Sequence, residues 1–380
     1  MKLQKSDWED DSMRLAICGD ISITSASAPV FAAADEKTAF GRVLEQFAGC
    51  DRVLVNLECA LTDTEHRIIK KGPNLKGPKA TADTLKKAGV TDCMLSNNHI
   101  FDYGVEGLVD TLAELDRVGL KWTGVGSDYE DSRENHVMVV DGITVAVVNV
   151  CEHEYSYATE ERCGARPFDE FETMEDIRRA KKDADYVIVI YHGGKEHCRY
   201  PSPRLLKACR EMVRCGADAV FCQHSHIIGC YEKFEGGHIV YGQGNFHFVK
   251  YLDKPEWGEG LMIELDVTRE RMDIGFVPVL ANDCGIDLAD EETSARIMKD
   301  FFARSEELTN GQWKKGWHEF CVMMHDNYKK SICGHSVEDD LDKIQIFAHY
   351  LDCEAHTDVW RELFYTWNKT NELAENQKLR

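Results

Sequence analysis

Ser96-Asn-Asn-His-Ile-Phe-Asp-Tyr103 joins a strand-like apolar run to an amphipathic segment that begins directly afterwards. Its side chains therefore stand at the carboxyl end of a predicted strand, where open α/β sheets place their ligand sites. Asn98 is a candidate metal ligand, His99 a candidate proton donor, and Asp102 can orient the imidazole of His99. An Asx-type turn with a polar cap accounts for the same residues equally well, so the rest of the chain has to distinguish the two interpretations.

Several other predicted strands also end in residues that bind metals or move protons. These residues are Asp20, Glu58, His192, His224 and His226. Taken singly, each has an ordinary role as a turn residue, a helix-start carboxylate or a core histidine. Taken together, they would meet at one edge of a sheet. Alternate residues of an extended segment point the same way, so His224 and His226 are expected to face one pocket.

The types of ligand indicate the class of metal. Carboxylates, an amide oxygen and neutral imidazoles, with no thiolate, suit two divalent ions such as Mn, Fe or Zn. Two neighbouring ions need a shared ligand, and Glu58 is the candidate because a carboxylate bridges readily. Such a pair lowers the pKa of a bridging water and holds the attacking and leaving oxygens of an in-line displacement. His99, held by Asp102, would then protonate the leaving group.

The overall charge limits the class of partner. The 380 residues carry a formal net charge of -22 at pH 7, which disfavours a nucleic-acid partner because phosphate backbones would be repelled. One basic patch interrupts this charge in a loop rich in Gly and Pro, and it consists of Lys70, Lys71, Lys76 and Lys79. The patch either grips an anionic group or is a solvated loop.

The sequence shows neither a membrane span nor an apolar secretory leader. Its 15 cysteines are scattered, without a Cys-x-x-Cys pair, which favours reduced buried thiols and disfavours a structural zinc site of the cysteine type. We therefore expect a cytoplasmic protein.

The pattern of apolar residues predicts three parts. They are a flexible tail over residues 1–12, a main domain over residues 13–285, and a helical extension over residues 286–380. Within the main domain we expect a long loop over residues 21–38, a helix from Phe40 to Phe47, and a β meander between residues 228 and 279.

The helical extension is charged and rich in tryptophan. We expect it to form a cap over the pocket or the contact of a homo-oligomer. Its histidines show no spacing typical of metal sites, so surface or packing roles are the prediction for His318, His325, His335, His349 and His356.

The ordered succession of motifs resembles the CapA family of bacterial capsule or poly-γ-glutamate synthesis proteins, which belongs to the calcineurin-like metallophosphoesterase superfamily. The resemblance covers roughly residues 13–280. It rests on Gly19-Asp20, Asn56-Leu-Glu58, Asn97-Asn-His-x-x-Asp-Tyr-Gly104, His192-Gly-Gly-x-Glu196, Tyr200-Pro-Ser-Pro203, Gly216-Ala-Asp218, His224-x-His226 and Gly244-Asn-Phe246. It implies an α/β fold, namely a four-layer α/β/β/α sandwich with a dinuclear site at one edge and the helical extension added to it.

The resemblance also implies roles for individual residues. The implied ligands are Asp20 and His226 for the first metal, Glu58 as the bridge, and Asn98, His192 and His224 for the second metal, with His99 as the acid. Substrate contacts are expected from Asn56, Asn97, Lys76, Glu196 and Asn245.

The chain departs from the superfamily pattern at three positions. Ser22 stands where the superfamily has its first histidine ligand, Glu58 replaces an aspartate, and Gln223 replaces the glycine before the final histidine pair.

The expected function is that of a metal-dependent hydrolase, most readily a phosphoesterase acting on a phosphorylated small molecule or a compound related to an envelope polymer. One alternative is hydrolysis or transfer at a γ-glutamyl amide, with the same metals polarising a carbonyl. Another is a non-catalytic protein that binds a polymer or a partner enzyme of polyglutamate synthesis. The presence of both His99 and Asp102 favours catalysis.

Overall fold

The computed structural model describes residues 12–333 and 341–363. The strands are β1 (Met13–Ile21), β2 (Arg52–Leu57), β3 (Ala60–Leu61), β4 (Lys76–Gly77), β5 (Asp92–Met94), β6 (Lys121–Thr123), β7 (Val125–Gly126), β8 (His136–Val140), β9 (Ile143–Cys151), β10 (Gly164–Ala165), β11 (Tyr186–His192), β12 (Ala219–Gln223), β13 (Tyr231–Phe234), β14 (Gly237–Tyr241), β15 (Asn245–His247), β16 (Glu259–Val267), β17 (Met272–Ala281) and β18 (Ile286–Leu288). The helices are α1 (Ala28–Ala32), α2 (Glu36–Phe40), α3 (Val43–Phe47), α4 (Thr81–Ala88), α5 (Gly104–Val118), α6 (Glu172–Asp183), α7 (Pro203–Arg214), α8 (Pro255–Gly258), α9 (Glu291–Asn310), α10 (Trp313–Cys333) and α11 (Leu341–Asp352), and residues 354–363 are also helical.

Two mixed sheets form the centre of the molecule. Within the described residues, the first sheet has eight strands in the order β18-β17-β16-β1-β2-β5-β6, with β15 paired to β1. The second sheet has six strands in the order β13-β14-β12-β11-β9-β8. The strands β1, β2, β5 and β6 run parallel, and so do β9, β11, β12 and β14. Each sheet therefore has a parallel centre, and the carboxyl ends of its strands lie at one edge.

Alternation along the strands assigns their side chains to two different cores. In β1, Leu15 and Ile17 pack between the two sheets, whereas Ala16 and Cys18 face the helices outside the first sheet. Helices α1 to α5 cover that outer face, and α6, α7 and α10 cover the outer face of the second sheet. The four-layer α/β/β/α arrangement is therefore confirmed.

The segment over residues 21–38 is not the long loop that its composition suggested. It contains α1 and the beginning of α2, two helices of 5 residues each, which are too short to show a helical period in the sequence. Asp35 caps α2, because its Oδ1 accepts a hydrogen bond of 3.1 Å from the amide of Thr38. Gly41, with a φ of 48°, ends α2, so the single helix predicted from Phe40 to Phe47 is split and α3 begins at Val43.

The predicted hairpin forms, whereas the predicted β meander does not. The hairpin formed by β8 and β9 is confirmed, and its turn places Asp141 and Gly142 at φ values of 50° and 74°, the left-handed geometry that suits a two-residue turn. The predicted meander is wrong, because β13 and β14 belong to the second sheet whereas β16 and β17 belong to the first.

The carboxyl-terminal helices pack against the main domain. Phe301 of α9 reaches the core between the sheets, and Trp317 of α10 packs on the outer face of the second sheet. A buried ionic contact holds residues 354–363, since Arg204 Nε donates to Asp358 Oδ2 at 2.8 Å. The strand β18 still belongs to the first sheet, and the helices begin at Glu291. The predicted division of the chain into three parts and its predicted homo-oligomer stay predictions.

No helix in the part of the chain that the structure describes has the length and apolarity that crossing a bilayer requires. The cytoplasmic location stays a prediction.

Candidate metal centre

The site lies where the carboxyl ends of the two parallel sheet centres meet. In the first sheet, Asp20 of β1 stands beside Asn56 of β2, and Glu58 directly follows β2. In the second sheet, His192 closes β11 opposite Gln223 of β12. Side chains that are remote in the sequence are thereby brought into one buried cluster.

His192 connects the two sheets. Its Nε2 lies 2.9 Å from Asn98 Oδ1 and 3.4 Å from Glu58 Oε1. Its Nδ1 lies 3.0 Å from Asn56 Nδ2, which in turn donates to Asp20 Oδ1 at 2.7 Å. Both ring nitrogens therefore face predicted site residues.

His224 and His226 reach the site by an unexpected backbone. The strand β12 ends at Gln223, and the two histidines have φ values of 82° and 58°, so they are not on the extended segment that was predicted. Their rings nevertheless lie with centroids 5.9 Å apart, and His226 Nδ1 is 3.6 Å from Asp20 Oδ2. Left-handed backbone is costly for residues other than glycine and is concentrated at functional sites.

Glu58 is the residue common to two groups of side chains able to hold a metal. One group is Asp20, Glu58 and His192, the other is Glu58, His224 and His226, and the ligand atoms within each group lie within 4.8 Å of one another. This grouping differs from the implied one, which paired Asp20 with His226 and His192 with His224. The assignment of each ligand to a particular ion stays a prediction.

The environment of Glu58 fits a bridging metal ligand. Both carboxylate oxygens are buried and have no hydrogen-bond partner among the described residues. Burial, together with the neighbouring Asp20 carboxylate, raises the pKa of Glu58 to about 8. A buried carboxylate without partners is costly unless a cation satisfies it, so the donor set and this orphaned group both suit divalent ions.

Two of the imidazoles are held in the neutral state that metal binding requires. Burial lowers the pKa of His192 to about 4 and that of His224 to about 4. The lone pairs of both rings are therefore available at neutral pH. The pKa of His226 is raised: burial alone would lower it, and the carboxylates of Glu58 and Asp20 outweigh burial.

Ser22, which stands in place of the superfamily's first histidine, is fully buried. Its Oγ has no hydrogen-bond partner within the described part of the chain.

His99 and Asp102 form the expected pair, with a lysine added to it. His99 Nδ1 lies 2.6 Å from Asp102 Oδ2, and Lys70 Nζ donates to Asp102 Oδ1 at 2.7 Å. The amide of Leu75 also donates to Asp102, at 2.7 Å. The sequence indicated a basic patch but not that Lys70 is the lysine that reaches this pair.

Of the residues predicted to contact substrate, three asparagines are buried and hold other site residues by hydrogen bonds, and Glu196 lines the cavity. Asn97 Nδ2 donates to Asn56 Oδ1 at 3.0 Å, and Asn245 Oδ1 lies 2.9 Å from His226 Nδ1, so these amides hold the site residues. Glu196 lines the cavity beside the site.

Lys76, by contrast, makes its contacts elsewhere. Its Nζ donates to Glu65 Oε1 at 2.7 Å and to Thr64 O at 2.8 Å. Among the described residues, those that line the cavity include its neighbours Lys70 and Lys71 but not Lys76. Its contact with substrate stays a prediction that the geometry does not favour.

A cavity of about 580 Å³ adjoins the cluster and is rich in cations. The main domain supplies Lys70, Lys71, Asn98, His99, Glu154, Lys195, Glu196 and His224, and the extension supplies Lys330, His349, Tyr350 and His356. Several lysines at one mouth of an acidic protein suit an anionic substrate. The extension therefore contributes to the walls of the cavity, as a cap would.

Glu154 and two histidines of the extension were missed as site residues. Glu154 Oε2 lies 3.1 Å from Asn98 Nδ2 and 3.5 Å from His224 Nε2. Glu154 comes shortly after β9, so the strand-end signal that identified the other ligands could have found it.

The histidines of the extension for which surface or packing roles were predicted occupy two kinds of environment. His349 and His356 are buried and line the cavity, which agrees with a packing role, and whether they also bind a ligand stays open. His318 and His325 lie nearer the surface and contact carboxylates, and His335 lies outside the described residues.

Comparison with known proteins gives relatives in capsule synthesis. The chain is 28% identical over 249 residues to the capsule biosynthesis protein CapA of Bacillus anthracis, covering 63% of this chain and 61% of the relative. It is 29% identical over 245 residues to the PGA biosynthesis protein CapA of Bacillus subtilis, covering 63% of this chain and 64% of the relative. The match thus spans less than two thirds of each of these relatives.

Solved structures resemble the chain at low sequence identity. One is the 5'-nucleotidase precursor of Thermus thermophilus, with a TM-score of 0.44, 12% identity, and coverage of 79% of this chain and 59% of that one.

The family match covers most of the main domain. Residues 14–250 match the family described as bacterial capsule synthesis protein PGA_cap, a stretch that includes every predicted metal ligand. The chain belongs to this bacterial capsule synthesis protein family.

Proposed function

We propose that the chain is a metal-dependent phosphoesterase that hydrolyses an anionic phosphorylated compound linked to capsule or polyglutamate metabolism. The observation that carries the proposal is the fully buried Glu58 carboxylate, which has no hydrogen-bond partner among the described residues and is shared by two groups of candidate ligands. The proposed ligands of the two divalent ions are Asp20, Glu58, Asn98, His192, His224 and His226. When bound, such ions lower the pKa of a water molecule and stabilise the oxygens of an in-line displacement.

The residues around the cavity supply the remaining parts. The cations of Lys71 and Lys195 attract the anionic substrate and offset the acidity of the protein, whereas Lys70 is paired with Asp102. Asp102 accepts the Nδ1 proton of His99 across 2.6 Å, which leaves Nε2 as the nitrogen that can hold a proton for the leaving group. Asn56, Asn97 and Asn245 hold the ligands in place by hydrogen bonds.

A second candidate reaction is hydrolysis or transfer at a γ-glutamyl amide. The name of the Bacillus subtilis relative refers to PGA biosynthesis, and a lysine-lined cavity also suits the carboxylates of a glutamyl chain. Here the same proton donor, His99, would serve the leaving amine.

Purified protein supplied with Mn²⁺ and a chromogenic phosphodiester tests the first proposal. We expect turnover that the His99→Ala variant loses while retaining its metal, and that His66→Ala retains, because His66 is exposed and contacts Glu106. Release of an amine from a glutamyl peptide, without phosphodiester turnover, would support the second reaction. Absence of turnover with either substrate, together with unchanged metal content, would favour a binding protein and contradict both.

A further inference from the structure

The extension carries a second cluster of metal-binding side chains, outside the family match. His349, Cys353 and His356 each offer one ligand atom, and these atoms lie within 4.8 Å of one another. All three side chains are buried and line the same cavity as the candidate metal centre. Residues 14–250 match the family, so this cluster belongs to the part of the chain that the family match does not cover.

The local backbone explains why the three side chains converge. The amide of Cys353 donates to His349 O at 3.0 Å, and the amide of Thr357 donates to Cys353 O at 3.0 Å, so helical hydrogen bonding passes through Cys353. Spacings of four and three residues on a helix place side chains on one face. The two imidazoles accordingly lie with ring centroids 4.5 Å apart and nearly perpendicular planes.

Each of the two histidines has a ring nitrogen that is available to bind a metal. The Tyr328 hydroxyl lies 2.6 Å from His356 Nδ1, which leaves Nε2 of that ring as the nitrogen free to bind a ligand. His349 Nδ1 is buried and has no hydrogen-bond partner within the described ranges. Metal-binding histidines are ordinarily oriented by a hydrogen bond at the other ring nitrogen, as Tyr328 orients His356.

Glu154 connects this cluster to the candidate metal centre. Its Oε1 lies 3.7 Å from His349 Nε2, and its Oε2 lies 3.5 Å from His224 Nε2. Glu152, Cys353 and Glu354 form a neighbouring group of possible ligands. The carboxylate of Glu152 is not available to a metal there, because it accepts hydrogen bonds from Tyr191, Arg204 and the amide of Ala355.

We propose that His349, Cys353 and His356 bind a further transition-metal ion, of the zinc class, next to the cavity. Thiolate sulfur and imidazole nitrogen are both donors that zinc binds, and zinc sites with three protein ligands keep a fourth position open to water or substrate. Cys353 releases its proton to solvent as the sulfur binds the ion. The bound ion adds positive charge to the wall of the cavity that the extension supplies.

The alternative is that the cluster is a packed group of buried side chains without a metal. Cobalt(II) distinguishes the two, because a cysteine thiolate bound to cobalt gives a charge-transfer band in the near ultraviolet. The ligands proposed at Glu58 include no thiolate, so ions at that centre do not give this band. The test therefore does not depend on the proposed phosphoesterase activity.

The experiment titrates the purified full-length chain with Co²⁺ and follows its absorption and cobalt content. We expect the thiolate band to appear in the wild type and in Glu58→Ala, and to be lost in Cys353→Ala with the loss of one equivalent of cobalt. Cys321→Ala is the matched control, since Cys321 is also a buried thiol of the extension but belongs to no candidate metal group among the described residues.

Two further measurements keep the result interpretable. His356→Gln retains a side chain of similar length and is expected to weaken or shift the band, whereas circular dichroism checks that each variant is folded. A wild type that binds cobalt without a thiolate band, or a band that persists in folded Cys353→Ala, would overturn the proposal.

Discussion

Replacing Asp102 with asparagine is expected to lower both stability and activity, by separable mechanisms. Asp102 is fully buried and accepts from Lys70, whose side chain is 2% exposed, across 2.7 Å. The Asp102→Asn change would leave that ammonium buried without its counterion, and breaking a buried ion pair costs about 3–5 kcal/mol. The same change removes the carboxylate that orients His99, the proposed general acid. Loss of general acid catalysis lowers turnover by about 10²–10⁴-fold.

The double variant Lys70→Met with Asp102→Asn separates the two effects. Removing the lysine also removes the buried unpaired charge, so we expect most of the lost unfolding free energy to return. Turnover should stay low, because the imidazole of His99 still lacks its carboxylate partner. Urea unfolding followed by tryptophan fluorescence measures the first quantity, and phosphodiester hydrolysis at matched metal content measures the second.

The pH dependence of the unfolding free energy of the single variant Asp102→Asn gives an independent check. Burial alone would raise the pKa of Asp102, but His99 and Lys70 outweigh burial and hold it below its usual value of 3.8. Asp102 therefore contributes stability above pH 3.8 that is lost as the pH falls through its lowered folded-state pKa. The difference in unfolding free energy between wild type and Asp102→Asn should narrow in that range. If the unfolding free energy of Asp102→Asn at pH 7 lies within about 1 kcal/mol of wild type, and not roughly 3–5 kcal/mol below it, Asp102 and Lys70 do not form a stabilising buried ion pair.

Three further variants test other parts of the molecule. Glu58→Ala should release both ions, because a bridging ligand serves both, and elemental analysis that finds one of the two ions still bound would contradict this. Lys195→Met should raise KM for an anionic substrate by about tenfold, the equivalent of one charge-assisted hydrogen bond, with a smaller change in kcat. An unaltered KM would show that Lys195 does not bind the substrate. Arg204→Met should destabilise the protein by about 3–5 kcal/mol, because Glu152 and Asp358 lose their buried cation. Hydrogen exchange over residues 354–363 should become faster. Unchanged exchange there would show that this contact does not hold the extension.

The positions of Asp20, Glu58 and His192 could be predicted from the sequence for a simple physical reason. Each closes or follows an apolar strand, and parallel strands bring their carboxyl ends to a common edge. The four-layer fold was implied by the family resemblance.

The backbone at His224 and His226 could not be predicted in this way. The two residues follow an apolar strand, which favours continued extension, but their φ values of 82° and 58° are left-handed. Such geometry is held by tertiary contacts, for example the 3.0 Å bond from the His224 amide to Asp20 Oδ2, and local sequence does not encode it.

The part played by the extension depends on packing between residues that are far apart in the chain. His349 lies 3.7 Å from Glu154, almost 200 positions earlier, and stacks on Tyr155 with ring centroids 4.6 Å apart. No periodicity in the sequence of the extension indicates these contacts. The same holds for Lys70, since the sequence identified the basic loop but not which lysine turns inward.

Anomalous diffraction from crystals grown with Mn²⁺ shows whether two divalent ions share the Glu58 carboxylate. We expect two anomalous peaks on either side of the Glu58 carboxylate, one near Asp20 and His192 and the other near His224 and His226. A single peak at this cluster, or peaks that leave Glu58 without a bound ion, would contradict this expectation.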